Sequence, residues 1–237
     1  LGWIAMNYAN DLAQAARHYQ KALALDPSDA AIIGGASVLL KSLGRVDESI
    51  VLGEYFTSRD PLNATSHYNL GISYLFAGRW TDAIATFQTA LRLSPGIIGA
   101  QYWIGTALLL QGETRMALAT MQQEPFEVYR LIGMAEAQYA LGEHAASDAA
   151  LEELIRKYEK EWAFNIAYVL AYRNEADRAF EWLNKAVESG DEGLSDIVGE
   201  PEFGNIHSDP RWLPFLESIG FAPAQLDVIE FNVTLPK

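Results

Sequence analysis

The chain has 237 residues, half of them hydrophobic, and a formal net charge of −14 at pH 7. This composition indicates a folded protein with a substantial core, and the excess of acidic side chains argues against nucleic acid or an anionic membrane as a partner. Cysteine is absent from the sequence, which excludes disulfide bonds and thiolate metal sites.

The N-terminus carries neither an initiating methionine nor a charged targeting segment, since the chain starts at Leu1-Gly2-Trp3. We therefore expect it to be a fragment of a longer protein. No run reaches the roughly 18 apolar residues that a membrane-spanning helix requires. These features predict a cytoplasmic location, or a periplasmic one if the longer protein has a membrane span upstream.

Proline and glycine recur along the chain with a period of 34 residues. Each proline follows a polar residue, and each glycine follows an apolar helical pattern. Proline cannot continue the helical hydrogen-bond ladder, and glycine accepts the left-handed conformation that ends many helices. Each period is therefore predicted to hold two helices, with a glycine between them and a proline after the second. The positions are Pro27, Pro61 and Pro95, and Gly44, Gly78 and Gly112.

The third unit carries the most complete pattern. Small residues at Gly71 and Ala83 would let its two helices cross closely, while Tyr74 and Phe87 would fill the space beside them. The full set is Leu70, Gly71, Tyr74, Gly78, Ala83, Phe87, Ala90 and Pro95. This set closely resembles the tetratricopeptide repeat. The resemblance implies an all-α fold, a tetratricopeptide-type α-solenoid in which helical hairpins stack into a right-handed superhelix.

Later units drift from the pattern. The fourth unit reaches Pro125 early, which predicts a second helix about one turn shorter than in its neighbours, and the sixth has Asn174 in place of the turn glycine. We predict one array over residues 1–190, followed by a C-terminal cap and tail over residues 191–237. The array divides into a half hairpin at 1–29 and repeats at 30–63, 64–97, 98–125, 126–160 and 161–190.

The C-terminal region is turn-rich and acidic but offers apolar side chains such as Leu194, Phe203 and Trp212, as a cap over the last hairpin requires. Residues 179–183 and 209–212 together resemble the terminal segment of bacterial multidomain proteins. In those relatives the repeats follow a class III adenylyl cyclase domain or a winged-helix DNA-binding domain. The resemblance implies the C-terminal module of a larger signalling or regulatory protein.

Motifs for catalysis and metal binding are missing from the sequence. Its four histidines, His18, His67, His144 and His207, fall in different units and never pair at a metal-ligand spacing. Neither a phosphate-binding glycine loop nor a serine-hydrolase elbow appears. We therefore predict a protein that is not an enzyme and that has no metal site and no cofactor.

In tetratricopeptide proteins the first helix of each hairpin lines a concave groove, and the resemblance places mostly aromatic, uncharged side chains there. Such side chains suit a partner contact that must stay soluble when empty. Aromatic residues at helical spacing more often belong to a core than to a binding site, so both roles stay open for the tyrosines. The predicted groove residues are Tyr68, Ile72, Phe76, Tyr102, Thr106, Tyr129, Glu136, Tyr139, Phe164, Tyr168 and Tyr172.

Two functions compete at this point. The first is a scaffold that binds another protein, a peptide or an upstream domain of the same protein in the groove. The second is a structural module whose groove is filled by its own tail, residues 222–237, or by the twin subunit of a homodimer. The tail alternates apolar and polar residues near its end, which is typical of an extended segment. The first helices lack the lysine and asparagine set that grips acidic chaperone C-termini, which argues against that class of partner.

Overall fold

The computed structural model describes residues 1–235, and over these residues the chain forms helices and no strand. The helices of the array pack mainly against their neighbours in sequence, so the predicted all-α solenoid of helical hairpins is confirmed. The α-helices are α1 Gly2–Asn7, α2 Leu12–Leu25, α3 Ala30–Ser42, α4 Val46–Arg59, α5 Ala64–Phe76, α6 Trp80–Leu93, α7 Ala100–Leu110, α8 Thr114–Met121, α9 Glu127–Ala140, α10 His144–Tyr158, α11 Ala163–Tyr172, α12 Ala176–Ser189, α13 Trp212–Ile219 and α14 Pro223–Leu226. Two short 3₁₀-helices, Glu192–Asp196 and Pro201–Ile206, lie between α12 and α13.

Several helices begin at a side chain that caps the free backbone amides. Asp11 accepts a hydrogen bond from the Gln14 amide at 2.7 Å ahead of α2, and Asp29 caps α3 in the same way. Short polar residues are favoured at this position because the first amides of a helix have no partner within it. None of the helices within residues 1–235 is long and apolar enough to cross a lipid bilayer.

The turn inside each hairpin requires one residue with a left-handed backbone. Gly78 occupies this position between α5 and α6 with a φ of 71°, and Asn174 occupies it between α11 and α12 with a φ of 61°. Asparagine tolerates this conformation better than most L-residues because its short polar side chain can hydrogen-bond locally. The prediction that Asn174 replaces a turn glycine is therefore confirmed.

Small residues allow the two helices of a hairpin to cross closely. A Cβ added at Gly71 on α5 would lie 2.8 Å from the ring of Phe87 on α6, and Ala83 is fully buried beside it. The crossing of α7 and α8 is equally tight, because a Cβ at Gly105 would lie 2.3 Å from Met121. These distances confirm the predicted role of Gly71 and Ala83.

Helix α8 is shorter than the sequence predicts. It has 8 residues against 14 in α6, and this difference exceeds the predicted single turn of 3.6 residues. The residues that follow form a turn around the buried Glu124, which accepts hydrogen bonds from the amides of Gly99 and Phe126 at 3.1 and 3.2 Å. The missing helical residues therefore supply a turn that holds the start of α7.

The C-terminal region covers the last hairpin through α13. The rings of Phe180 on α12 and Phe215 on α13 lie 6.2 Å apart, and Arg211 pairs with Asp177 at 2.8 Å. Beyond α14 the chain is extended and returns to the start of the array. There the buried Phe231 accepts a hydrogen bond through its carbonyl from Arg45, in the turn between α3 and α4.

Candidate partner-binding groove

The first helices of the five complete hairpins share one face. Helices α3, α5, α7, α9 and α11 all contribute side chains to the lining of one cavity on that face. Residues 191–206, termed the crossing segment, run over the same face and contact these helices in turn. The predicted groove is therefore partly covered by the chain itself.

Polar contacts hold the crossing segment at three separate helices. The Asp191 carboxylate accepts a hydrogen bond at 3.0 Å from the Phe164 amide at the start of α11. Further along, Asp196 pairs with Lys41 on α3, and Tyr102 on α7 donates a 3.3 Å hydrogen bond to Glu202. The segment thus passes from the last hairpin to the second one and back towards the middle of the array.

The pair between Lys41 and Asp196 joins the crossing segment to a buried lysine on α3. Lys41 is only 5% exposed, and its ammonium group lies 2.8 Å from both carboxylate oxygens of Asp196. Ser42 donates a further hydrogen bond to Asp196 at 3.2 Å, and the Phe76 ring lies 4.9 Å from the ammonium group. A buried lysine requires such a partner, because an isolated charge is costly away from water.

Two glycines of the crossing segment lie directly on aromatic rings. A Cβ at Gly193 would lie 2.4 Å from Phe164, and a Cβ at Gly199 would lie 2.2 Å from Phe76. A larger residue at either position would collide with the ring beneath it unless the ring moved. Glycine therefore allows the backbone of the segment to follow the aromatic surface of the groove.

Phe203 anchors the second half of the crossing segment. Its side chain is fully buried, with ring centroids 5.4 Å from Phe164, 6.3 Å from Tyr168 and 5.4 Å from Trp212. The first two contacts are edge-to-face, the arrangement that aromatic pairs favour. Phe203 thus joins α11, the crossing segment and α13 into one core.

Three buried carboxyl groups meet where the crossing segment covers the middle of the groove. Glu136 on α9, Glu200 and Glu202 are each less than 5% exposed. Burial raises the pKa of all three, and the charge of Glu202 raises the pKa of Glu136 and Glu200 further. Both carboxyl oxygens of Glu136 have no hydrogen-bond partner in the described part of the chain. The protonated, neutral form is therefore favoured at this point of the groove.

The crossing segment changes the status of the predicted groove residues. Tyr102, Thr106, Glu136, Phe164 and Tyr168 are fully buried, so these five side chains are not exposed to a partner in this structure. The reason is that the segment covers them and uses several of them as packing partners. The remaining predicted residues are half-buried, namely Tyr68, Ile72, Phe76, Tyr129, Tyr139 and Tyr172.

These half-buried residues do not form one surface. Tyr68, Ile72 and Tyr129 line the cavity that the crossing segment leaves open, whereas Phe76 lies beneath Gly199. Tyr139 packs beside His144, with ring centroids 5.1 Å apart, and beside Arg173. A partner role for Tyr139 together with Tyr68 would therefore need two separate contacts, and the role of each as a partner contact stays a prediction.

The cavity that remains open has a volume of about 430 Å³ and lies between the first helices of the five hairpins and the crossing segment. At its wall the Trp103 indole donates a 2.8 Å hydrogen bond to the Tyr68 hydroxyl. Gly99 allows this arrangement, because a Cβ there would lie 2.8 Å from that hydroxyl. A second cavity of about 490 Å³ adjoins the first and shares Trp3, Val38, Thr65 and Asn69 with it.

The structure does not place the described part of the tail, residues 222–235, in the groove. The segment on the concave face is 191–206, whereas the extended tail contacts Arg45 and Gln20, the latter through the Asn232 amide at 3.2 Å. Gln20 lies on α2, the second helix of its hairpin, and Arg45 lies in the turn between α3 and α4. Neither residue belongs to the groove lining. Residues 236 and 237 of the predicted tail lie outside the described residues.

Sequence comparisons find the same repeat. A family model described as the tetratricopeptide repeat matches residues 42–97, 68–124 and 132–193. The chain is 28% identical over 167 residues to Superkiller complex protein 3 of Homo sapiens and 25% identical over 204 residues to Superkiller protein 3 of Schizosaccharomyces pombe. These matches cover 67% and 76% of this chain but span only 10% and 14% of the two relatives.

Among solved structures, a thermophilic tetratricopeptide repeat protein of Thermus thermophilus is similar to this chain with a TM-score of 0.60. The two share 16% sequence identity over 76% of this chain and 92% of that chain. This likeness supports the arrangement of stacked helical hairpins and says nothing further about partners.

Proposed function

Because the chain belongs to the tetratricopeptide repeat family, we propose that it is a non-enzymatic scaffold that binds another protein or peptide on its concave face. The binding site is the part of the groove that the crossing segment leaves open. The observation that carries this proposal is the pair of adjoining cavities between α3 and α5, of about 430 and 490 Å³. Ligand sites commonly have volumes of about 300 to 1,000 Å³.

The lining of these cavities suits an extended peptide. Near α3 it consists of small and uncharged residues, including Ala31, Gly34 and Val38. Towards the crossing segment it becomes aromatic and acidic, with Tyr129 and Asp191 on the wall. A partner segment that follows the groove would therefore meet an apolar end and a charged end, which gives it a direction.

The partner is either a separate protein or a domain upstream in the same protein. The likeness of residues 179–183 and 209–212 to the terminal segment of bacterial multidomain proteins supports the second source. In that setting the scaffold would be the C-terminal module of a signalling or regulatory protein. The alternative, a self-association module, would place a twin subunit in the same cavities and would require a homodimer.

Asn69 on α5 offers a direct test, because it lines both cavities and its side chain is half-buried. Peptides selected from a phage-displayed random library are titrated by calorimetry against the wild-type chain and against Asn69→Arg. We expect the arginine to fill the junction of the cavities and to weaken binding about tenfold or more. The matched control is Gln88→Arg at an exposed position on α6, outside both cavities.

Equal effects of Asn69→Arg and Gln88→Arg would contradict the proposed site. Sedimentation of both variants tests the homodimer alternative. A homodimer formed through the groove would dissociate in the Asn69→Arg variant but not in Gln88→Arg. A monomeric wild-type chain would exclude the twin subunit as the occupant.

A further inference from the structure

The cavity of about 430 Å³ is lined by many aromatic and acidic side chains. Its walls include seven aromatic side chains, five carboxyl groups and a single basic group, Lys41. Three of the aromatic residues are tryptophans, Trp3, Trp103 and Trp162. Rings and carboxylates together are the groups that bind alkylammonium and guanidinium ions, since the ring faces attract cations.

Within residues 1–235, only one of these carboxyl groups has a cationic partner in the cavity. Lys41 pairs with Asp196, while Asp191 accepts hydrogen bonds from backbone amides at 3.0 Å. The carboxyl groups are those of Glu161, Asp191, Glu192, Asp196 and Glu200. The cavity therefore keeps a surplus of acidic groups after its internal contacts are made.

Glu200 points specifically to a missing donor. Its side chain is 3% exposed and lines the cavity, and its Oε1 atom has no hydrogen-bond partner within residues 1–235. A buried polar atom without a partner is uncommon, because leaving it unsatisfied costs free energy. The Glu200 carboxyl group also faces that of Glu202, and an N–H group of a ligand in the cavity would add a donor to this pair of acceptors.

We propose that this cavity binds an organic cation, an ammonium or guanidinium group, carried by a lysine or arginine of a partner peptide or by a free amine. The proposal deepens the proposed partner site and rests on it for the peptide form. A metal ion fits less well, since no group of three or more His, Asp or Glu side chains in the described part of the chain could hold one. The acidic wall likewise disfavours carboxylate or phosphate ligands.

The six tryptophans provide a readout with internal controls. Trp3, Trp103 and Trp162 line the cavity, whereas Trp80, Trp182 and Trp212 do not. Indole N–H signals of the ¹⁵N-labelled chain are followed during titration with choline, n-butylammonium and methylguanidinium ions. We expect saturable shifts of the first three signals and none of the others.

A neutral compound with the shape of one of the cations shows whether binding depends on charge or only on burial of apolar surface. The control ligand is 3,3-dimethylbutan-1-ol, which has the shape of choline without its charge. Equal shifts with this alcohol and with the cations would overturn the proposal, because the cavity would then be recognising only apolar surface. If none of the cations caused saturable shifts, the proposal would be overturned as well.

Exposed carboxylates at the cavity mouth allow a charge test that leaves the fold intact. We expect Glu161→Gln with Glu192→Gln to weaken cation binding about twofold to tenfold, in proportion to the modest strength of exposed charge pairs. The matched control is Glu152→Gln with Glu217→Gln, two exposed glutamates outside the cavity. An equal loss in both double variants would contradict a local role of the carboxylates.

The selected peptides distinguish a cation that belongs to a peptide side chain from a free amine. They also distinguish failure of the cation site from failure of the peptide scaffold. Substitution of lysine by norleucine and of arginine by citrulline should abolish peptide binding if the peptide supplies the cation. Undiminished binding of such neutral peptides would sink the cation proposal and leave the partner site standing. Shifts with free amines but no peptide binding would support the cation site and contradict the peptide scaffold.

Discussion

Replacement of Phe203 by alanine is expected to lower the free energy of unfolding by about 3 to 5 kcal/mol, the range for buried aromatic residues truncated in a core. Phe203 is fully buried, and its ring contacts Phe164 and Tyr168 in the groove and Trp212 on α13. Its loss would leave a cavity at the junction of three elements. Urea denaturation followed by circular dichroism measures the change.

The matched control is Leu213→Ala in the adjoining helix α13, where the side chain is 51% exposed. Surface substitutions of this kind usually change stability by less than about 0.5 kcal/mol. If the two variants differed by less than about 1 kcal/mol, Phe203 would not be buried in the groove. The crossing segment would then lie elsewhere.

The second large effect concerns pH. Burial raises the pKa of Glu136, Glu200 and Glu202 above the values of the unfolded chain. Above the unfolded-state pKa the native state therefore holds more protons than the unfolded state, so the free energy of unfolding falls as pH rises. Each retained proton contributes a slope of at most about 1.4 kcal/mol per pH unit. We expect the protein to be more stable near about pH 5 than at neutral pH.

Glu136→Gln tests the origin of this slope. The amide keeps the shape of the protonated carboxyl group and cannot ionise, so the variant should lose part of the slope and be more stable than the wild type at neutral pH by about 1 to 2 kcal/mol. Tyr102 on α7 and Glu202 in the crossing segment face this side chain, and both remain in the variant. The control is Glu152→Gln at an exposed position on α10, which should leave the slope unchanged. Identical slopes in wild type and Glu136→Gln would disprove the assignment.

The array itself could be predicted because its information is local and repeated. Gly71 and Phe87 lie 16 positions apart within one hairpin, and the turn position that Gly78 fills recurs at Asn174. The same small residues and turns are needed in every unit, so a period in the sequence reflects contacts in the structure.

The crossing segment could not be predicted in the same way. Lys41 and Asp196 are 155 residues apart, and their contact occurs once, so no period in the sequence marks it. Glu200 and Glu202 look like surface residues of an acidic region until the fold buries them. Two signals were present in the sequence: the glycines at 193 and 199, which fit closely over Phe164 and Phe76, and the apolar Phe203 directly after Glu202.

The extended tail was predicted in its conformation but not in its location. Phe231 and its neighbours alternate in polarity, which indicates an extended segment but does not identify the surface that it covers. That surface includes Arg45 and Gln20, near the start of the array. The tail reaches this surface because the preceding residues, 191–226, lead the chain back towards the start of the array.

The central claim is that residues 191–206 fold back onto the first helices of the array, and a double-mutant cycle on Lys41 and Asp196 tests it most directly. Unfolding free energies are measured for Lys41→Met, Asp196→Asn and the double variant, with Lys41→Met combined with Asp209→Asn as the control cycle. We expect a coupling energy of about 1 to 3 kcal/mol for the first pair, as for contacting charged residues, and additivity for the control pair. Additive effects of Lys41→Met and Asp196→Asn would mean that the two side chains do not meet, and that the crossing segment does not cover the groove.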